Sequence, residues 1–143
     1  MQQPEPLETT CVCTTLRMTT RSIARLYDEA LAPAGLRTTE YSILARLRID
    51  GPAPVGRLAH RLLMDRTTLA REVRPLIDAG LVEATAGSDR RQRVLSITSA
   101  GASRLRRARP LWEAAQERIH ERFGSGRTEG LLAELRGLTA ATR

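Results

Sequence analysis

Between Leu58 and Gly101 the apolar residues change their period, and that change constrains the fold more than any other feature of the chain. Up to Asp78 they recur at helical spacing, with Leu69, Val73, Leu76 and Ile77 forming an i, i+4, i+7, i+8 stripe. After Gly80 they alternate every second residue over 81–85 and 94–98, the signature of two short strands, and Ala86-Gly87-Ser88 supplies turn residues between them. Asp65 is a good N-cap for the helix, because its carboxylate can accept from the otherwise unpaired amides of Thr67 or Thr68, and Gly80 is a good stop. A preceding helix over about 55–63 buries Leu58, Ala59 and Leu62, and the short Met64-Asp65 link suits a tight corner. Helix, corner, helix and hairpin in that order make a winged helix-turn-helix. The predicted fold class is therefore mainly α with a small β-hairpin wing, flanked by N- and C-terminal dimerisation helices.

The two projecting parts of this module carry cations and hydroxyls. At about 100° per residue the face opposite the apolar stripe holds Thr67, Arg71, Arg74 and Asp78, flanked by Thr68 and Pro75. Pro75 removes one backbone hydrogen bond and predicts a bend. The hairpin tip, Asp89-Arg90-Arg91-Gln92-Arg93, has three guanidinium groups in four positions. A helix of this kind docks in the major groove of DNA, and an arginine-tipped hairpin reaches the minor groove, where narrow A·T-rich segments carry enhanced negative potential. The candidate DNA-binding set is Arg66, Thr67, Thr68, Arg71, Arg74, Asp89, Arg90, Arg91 and Arg93. A solvated basic turn and a winged module used for protein contacts are the competing readings. Over its 143 residues the chain has a net charge of +7, which suits a polyanionic partner, and all 23 basic residues are arginine. Each can clamp phosphate or guanine in a bidentate manner.

These residues resemble the MarR family of bacterial transcription regulators. The resemblance covers about residues 10–101 and rests on Leu36-Arg37-Thr38-Thr39-Glu40-Tyr41-Ser42-Ile43-Leu44, on Met64-Asp65-Arg66-Thr67-Thr68-Leu69, on Gly80-Leu81-Val82, and on Asp89-x-Arg91 followed by Ile97-Thr98-x-x-Gly101. It implies that Asp89 braces the wing and that Arg91 enters the minor groove. Ala70 and Glu72 depart from the family pattern, standing where many members have small hydroxyl or amide side chains.

Beyond the module lie three amphipathic stretches. Residues 12–31 align Leu16, Ile23, Tyr27 and Ala30; residues 99–123 align Leu105, Ala108, Trp112, Ala115 and Ile119, with Thr98 as a cap and a kink expected at Pro110; residues 128–141 align Leu131, Leu132, Leu135 and Leu138. One small winged module cannot cover them all, so a two-fold homodimer with interlaced terminal helices is expected, as the resemblance also implies. The expected division is a loose tail over 1–10, a dimerisation helix in 11–35, the DNA-binding region in 36–98 and dimerisation helices in 99–143.

Enzymatic chemistry finds no support. His60 and His120 lie on separate predicted helices with no triad pattern, Cys11-x-Cys13 lacks a second pair of metal ligands, and no glycine-rich phosphate loop occurs. No cofactor and no metal are expected. Neither an 18-residue apolar run nor a charged-then-apolar leader occurs, so a cytoplasmic protein without a membrane partner is expected. The expected function is a ligand-responsive repressor of a pseudopalindromic operator. Its expected effector is a small aromatic or phenolic molecule, which the resemblance places in a cleft between the dimer helices and the DNA-binding lobe, with Arg17, Arg21 and Arg25 as candidate partners for a carboxylate. An alternative is redox sensing: Cys13, Leu16 and Tyr27 resemble the reactive cysteine and its surroundings in the organic-hydroperoxide-sensing branch, although Arg17 stands where that branch has another tyrosine. Against it stands the expectation that Cys13 is a small buried apolar residue, the favoured reading of the two.

Overall fold

The computed structural model describes residues 10–143. The tail expected over 1–10 lies, but for Thr10, outside the described residues. Helix α1 (Val12–Leu31) is followed by a 3-10 turn (Ala32–Ala34), α2 (Thr38–Asp50), strand β1 (Ala53–Pro54), α3 (Val55–Arg61), α4 (Arg66–Asp78), β2 (Val82–Ala86), β3 (Arg93–Ile97), α5 (Ser99–Phe123) and α6 (Ser125–Ala141).

The apolar stripe read from the sequence is the buried face of α4: Leu69, Val73 and Leu76 are nearly inaccessible. They meet Ile43, Leu44 and Leu47 of α2, Leu58 of α3 and Leu95 of β3 in one core, and Ala108 of α5 closes it. Asp65 caps α4 as expected, its carboxylate accepting from Thr68 N at 2.7 Å and from the Thr68 hydroxyl at 2.9 Å. At the far end Gly80 turns the chain into β2 with φ +72°, a conformation that costs glycine little. Both interior prolines are accommodated: α4 runs through Pro75 and α5 through Pro110.

The expected hairpin is present as β2 and β3, and β1 joins it to make a three-stranded antiparallel sheet in the order β1-β3-β2, with Ala53 paired to Leu95 and Pro54 to Val94. Two residues, one of them proline, carry no readable alternation. Three finer expectations need correction. Arg93 is not at the tip, since it begins β3 opposite Ala86, and the turn closes behind it with Gly87 N donating to Gln92 O at 2.8 Å. The helix expected over 55–63 ends at Arg61, because Leu63 takes φ +53° and Met64 N donates back to Ala59 O. Finally, α6 starts three residues before Thr128. That threonine is buried in the first turn, with its hydroxyl donating to Gly124 O at 2.7 Å.

The joint between sheet and α5 is tightly specified. Thr98 caps α5 by accepting from Gly101 N at 3.0 Å, while its hydroxyl donates to Gly80 O at 2.7 Å. A Cβ on Gly101 would lie 2.1 Å from the Leu81 carbonyl oxygen, so only glycine permits this approach. On the other side, α5 is tied to α1 and α2 by the Tyr27 hydroxyl donating to Gln116 and by Tyr41 stacked on Trp112 at 5.8 Å between centroids. Asp28 of α1 accepts from Thr38 N at 2.8 Å and so helps to cap α2.

Candidate nucleic-acid interface

Between α4 and the wing runs an open trough of about 900 Å³. Arg66, Thr67, Ala70, Arg74 and Asp78 of α4 form one wall, and Arg91, Gln92 and Arg93 form the other; Gly56 and Arg57 of α3 close the end beside Arg66. Five arginines therefore face a single concave surface against one carboxylate, Asp78. Such a surface is a strong attractor for a polyanion.

Each wall is held by a short-range device. The Asp65 cap orders the first turn of α4, which carries Arg66 and Thr67. The two hydrogen bonds from Thr68 stabilise the ionised carboxyl and hold Asp65 below the usual carboxylate range. In the wing, Asp89 Oδ1 accepts from Arg91 N at 3.1 Å, and Gln92 N donates to Asp89 O at 2.9 Å. Asp89 thus shapes the backbone that carries Arg91, one of the residues lining the trough.

The candidate residues divide. Arg66, Thr67, Arg74, Arg91 and Arg93 share the trough, whereas Thr68 is spent on the cap and Arg71 lies outside, exposed and 3.9 Å from Glu72. Arg90 is exposed on the wing but does not line the trough. The position that replaces Arg71 on the wall is Ala70. Glu72 turns the other way, accepting from the Thr39 hydroxyl of α2 at 3.3 Å, so its departure from the family pattern serves packing between helices. Sequence reading missed Arg57. The buried neighbours Leu58 and Ala59 put it on the outer face of α3, but only the crossing of α3 over the start of α4 aims that face at the trough.

The residues proposed for sensing fall elsewhere. Arg17 and Arg21, with Cys13, Leu16 and Thr20, line a shallow groove of about 750 Å³ between the first half of α1 and Leu138, Thr139 and Thr142 at the end of the chain; Arg25 is not part of it. In the single chain Cys13 is exposed at the edge of this groove. Tyr27 is half-buried and committed to Gln116, and burial pushes its phenol pKa up. Cys11 is the N-cap of α1: Thr14 N donates to its Sγ at 3.4 Å, and hydrogen bonding at Thr14 holds its thiol below the ordinary value. Among the described residues no cluster of three or more His, Cys, Asp or Glu side chains suits a metal ion, and no helix is long and apolar enough to cross a membrane.

Residues 36–92, which span the corner, α4 and the wing tip, match the model of the MarR family. The DNA complex of the Mycobacterium tuberculosis transcriptional regulator MosR extends the likeness to the flanking helices: it is 34% identical, the alignment covers 93% of this chain and 98% of that one, and the TM-score is 0.80. The chain belongs to the MarR family. Membership makes it a DNA-binding transcription regulator rather than an enzyme. The MarR-family fold is shared in full with the PcaV regulator of Streptomyces coelicolor, solved with its natural ligand, at a TM-score of 0.84 and 17% identity over 100% of both chains. YwoH of Bacillus subtilis, an uncharacterised HTH-type transcriptional regulator, is 29% identical over 83 residues. That match takes in 58% of this chain and spans about three-fifths (61%) of the curated relative.

Proposed function

We propose that this MarR-family chain is a ligand-responsive repressor that binds a pseudopalindromic operator as a homodimer. The observation that carries the reading is the trough: a capped helix and a braced wing bring four arginines, and α3 a fifth, to one concave surface. In this reading α4 enters the major groove and Arg91 the adjacent minor groove. The dimer is supported by apolar side chains that the single chain leaves uncovered, Val12 and Met18 on α1 and Leu131, Leu132 and Leu138 on α6, each between 39% and 59% exposed. A dyad then sets two α4 helices on successive major grooves, with half-sites about 10 bp apart. Footprinting on a selected operator tests this: two-fold protection is expected, and a single asymmetric half-site bound by a monomer overturns it.

The effector in this reading is a small aromatic acid or phenol. Arg17 and Arg21 offer bidentate partners to a carboxylate beside the apolar Leu16 and Leu138, and a relative of the same fold binds a natural ligand. A thermal-shift screen of aromatic acids, followed by a gel shift with each hit, tests it; ligands that raise the melting temperature without releasing DNA count against it. A cytoplasmic location goes with this role.

A second reading, thiol sensing, is favoured by one observation: both cysteines are exposed and the Cys11 thiol is held low by the start of α1. The thiolate would attack an organic hydroperoxide, forming an S–O bond as the O–O bond breaks and an alcohol leaves, and the resulting sulfenate would no longer suit the cap. Release of wild-type protein from DNA by stoichiometric hydroperoxide, lost in Cys11→Ser or Cys13→Ser, would make this the function and name the thiol.

A further inference from the structure

Gly56 is the second residue of α3 and does not have a positive φ, so its backbone has no need of glycine. Glycine inside a helix is destabilising relative to alanine. What occupies the missing side-chain space is Arg66: a Cβ on Gly56 would lie 2.7 Å from Arg66 Nη2 and 3.1 Å from both Cζ and Nε. Three atoms along one side of the guanidinium thus lie almost equally close to the same point of α3. The planar group rests along the α3 backbone where a side chain would otherwise stand.

Arg66 is also the first residue of α4, and both Gly56 and Arg66 line the arginine trough. A free arginine side chain loses much rotamer entropy when it engages a ligand, and a side chain already held in one arrangement loses less. We infer that Gly56 is a positioning residue for DNA recognition, its bare backbone forming a platform that presents the Arg66 guanidinium to the duplex in one geometry. This inference rests on the DNA-binding reading of the trough and extends it to a residue that carries no charge and no donor of its own beyond the backbone.

The platform makes an unusual demand on its test. Because the clashing atoms belong to the far end of a flexible side chain, Gly56→Ala displaces Arg66 without disturbing the core, and alanine suits α3 better than glycine. Stability and affinity should therefore move apart. Using a short duplex selected from a randomised pool by the wild-type protein, Gly56→Ala is expected to weaken binding by on the order of tenfold, the scale of one well-aligned arginine contact, with a melting temperature equal to or above that of the wild type. In an Arg66→Ala background the same substitution is expected to have no further effect on affinity, because there is no guanidinium left to place. Gly56→Ala binding as tightly as the wild type overturns the inference, and so does an equal loss with or without Arg66. Failure of the underlying reading looks different: the wild-type protein would select no duplex at all.

Discussion

Arg91 and Asp65 show how differently two exposed charged residues act. Arg91 lines the trough from a loop shaped by Asp89, and none of the ion pairs among the described residues involves it. Arg91→Ala is expected to weaken operator binding by about 1–3 kcal/mol, with a larger loss on A·T-rich wing sites than on G·C substitutes. Fluorescence anisotropy on paired duplexes reads the difference; equal losses on both would place Arg91 on phosphate. Arg71, outside the trough, is expected to matter less to affinity than Arg74 inside it. Asp65 acts on the fold. Its carboxyl is held low by hydrogen bonds from Thr68, so the stabilisation is present above the unfolded value of about 3.9 and is lost as pH falls through that region toward the lower folded value. Asp65→Asn keeps a capping oxygen that does not titrate. Urea midpoints measured from neutral to acid pH should fall less steeply for this variant than for the wild type.

The wing is built from two strands whose alternation is legible and one whose is not. Leu95 sits at the centre of β3, paired with Ala53 on one side and Ala84 on the other, and is buried against the core. The trough keeps its shape only if this sheet holds its angle to α4, and the Gly80–Thr98–Gly101 joint sets that angle. Gly101→Ala drives a methyl into the Leu81 carbonyl, a backbone atom that cannot move aside, and is expected to cost more than about 3 kcal/mol in chemical denaturation. Thr98→Val removes one donor and one acceptor while keeping the shape, and is expected to cost about 1–3 kcal/mol. If Gly101→Ala were the milder of the two, the joint would owe its geometry to the hydroxyl rather than to the close approach.

At the scale of the whole molecule the two ends differ in how they are satisfied. Helix α4 and the sheet bury their leucines within one chain, whereas α6 leaves Leu131, Leu132 and Leu138 exposed and buries only Thr128. Leu138→Glu, alone or with Leu131→Glu, is expected to shift the protein from dimer to monomer in sedimentation velocity and to weaken operator binding, because one α4 must then bind without its dyad mate. Unchanged sedimentation would assign those leucines to some surface other than the dimer seam.

The sequence by itself determined the helix-turn-helix and most of the wing, because those elements are specified by local rules. A carboxylate before an apolar stripe caps a helix, a glycine stops it, and alternation makes a strand, and each of these is read within a few residues at Asp65, Gly80 and 94–97. The two-residue strand β1 was decided only by its partner β3, since Ala53 and Pro54 have no pattern of their own. The same holds for the site. That arginines gather on the recognition helix and wing was legible, but which of them share a surface was not: helical spacing placed Arg71 with Arg74, and the tilt of α4 against the sheet put Ala70 there instead. Arg57 and Gly56 reach the trough because α3 crosses the start of α4, and Cys13 shares a groove with Leu138 and Thr139 because the end of α6 lies beside the start of α1. Such facts depend on where distant elements lie in space, and residue spacing along the chain carries no information about that.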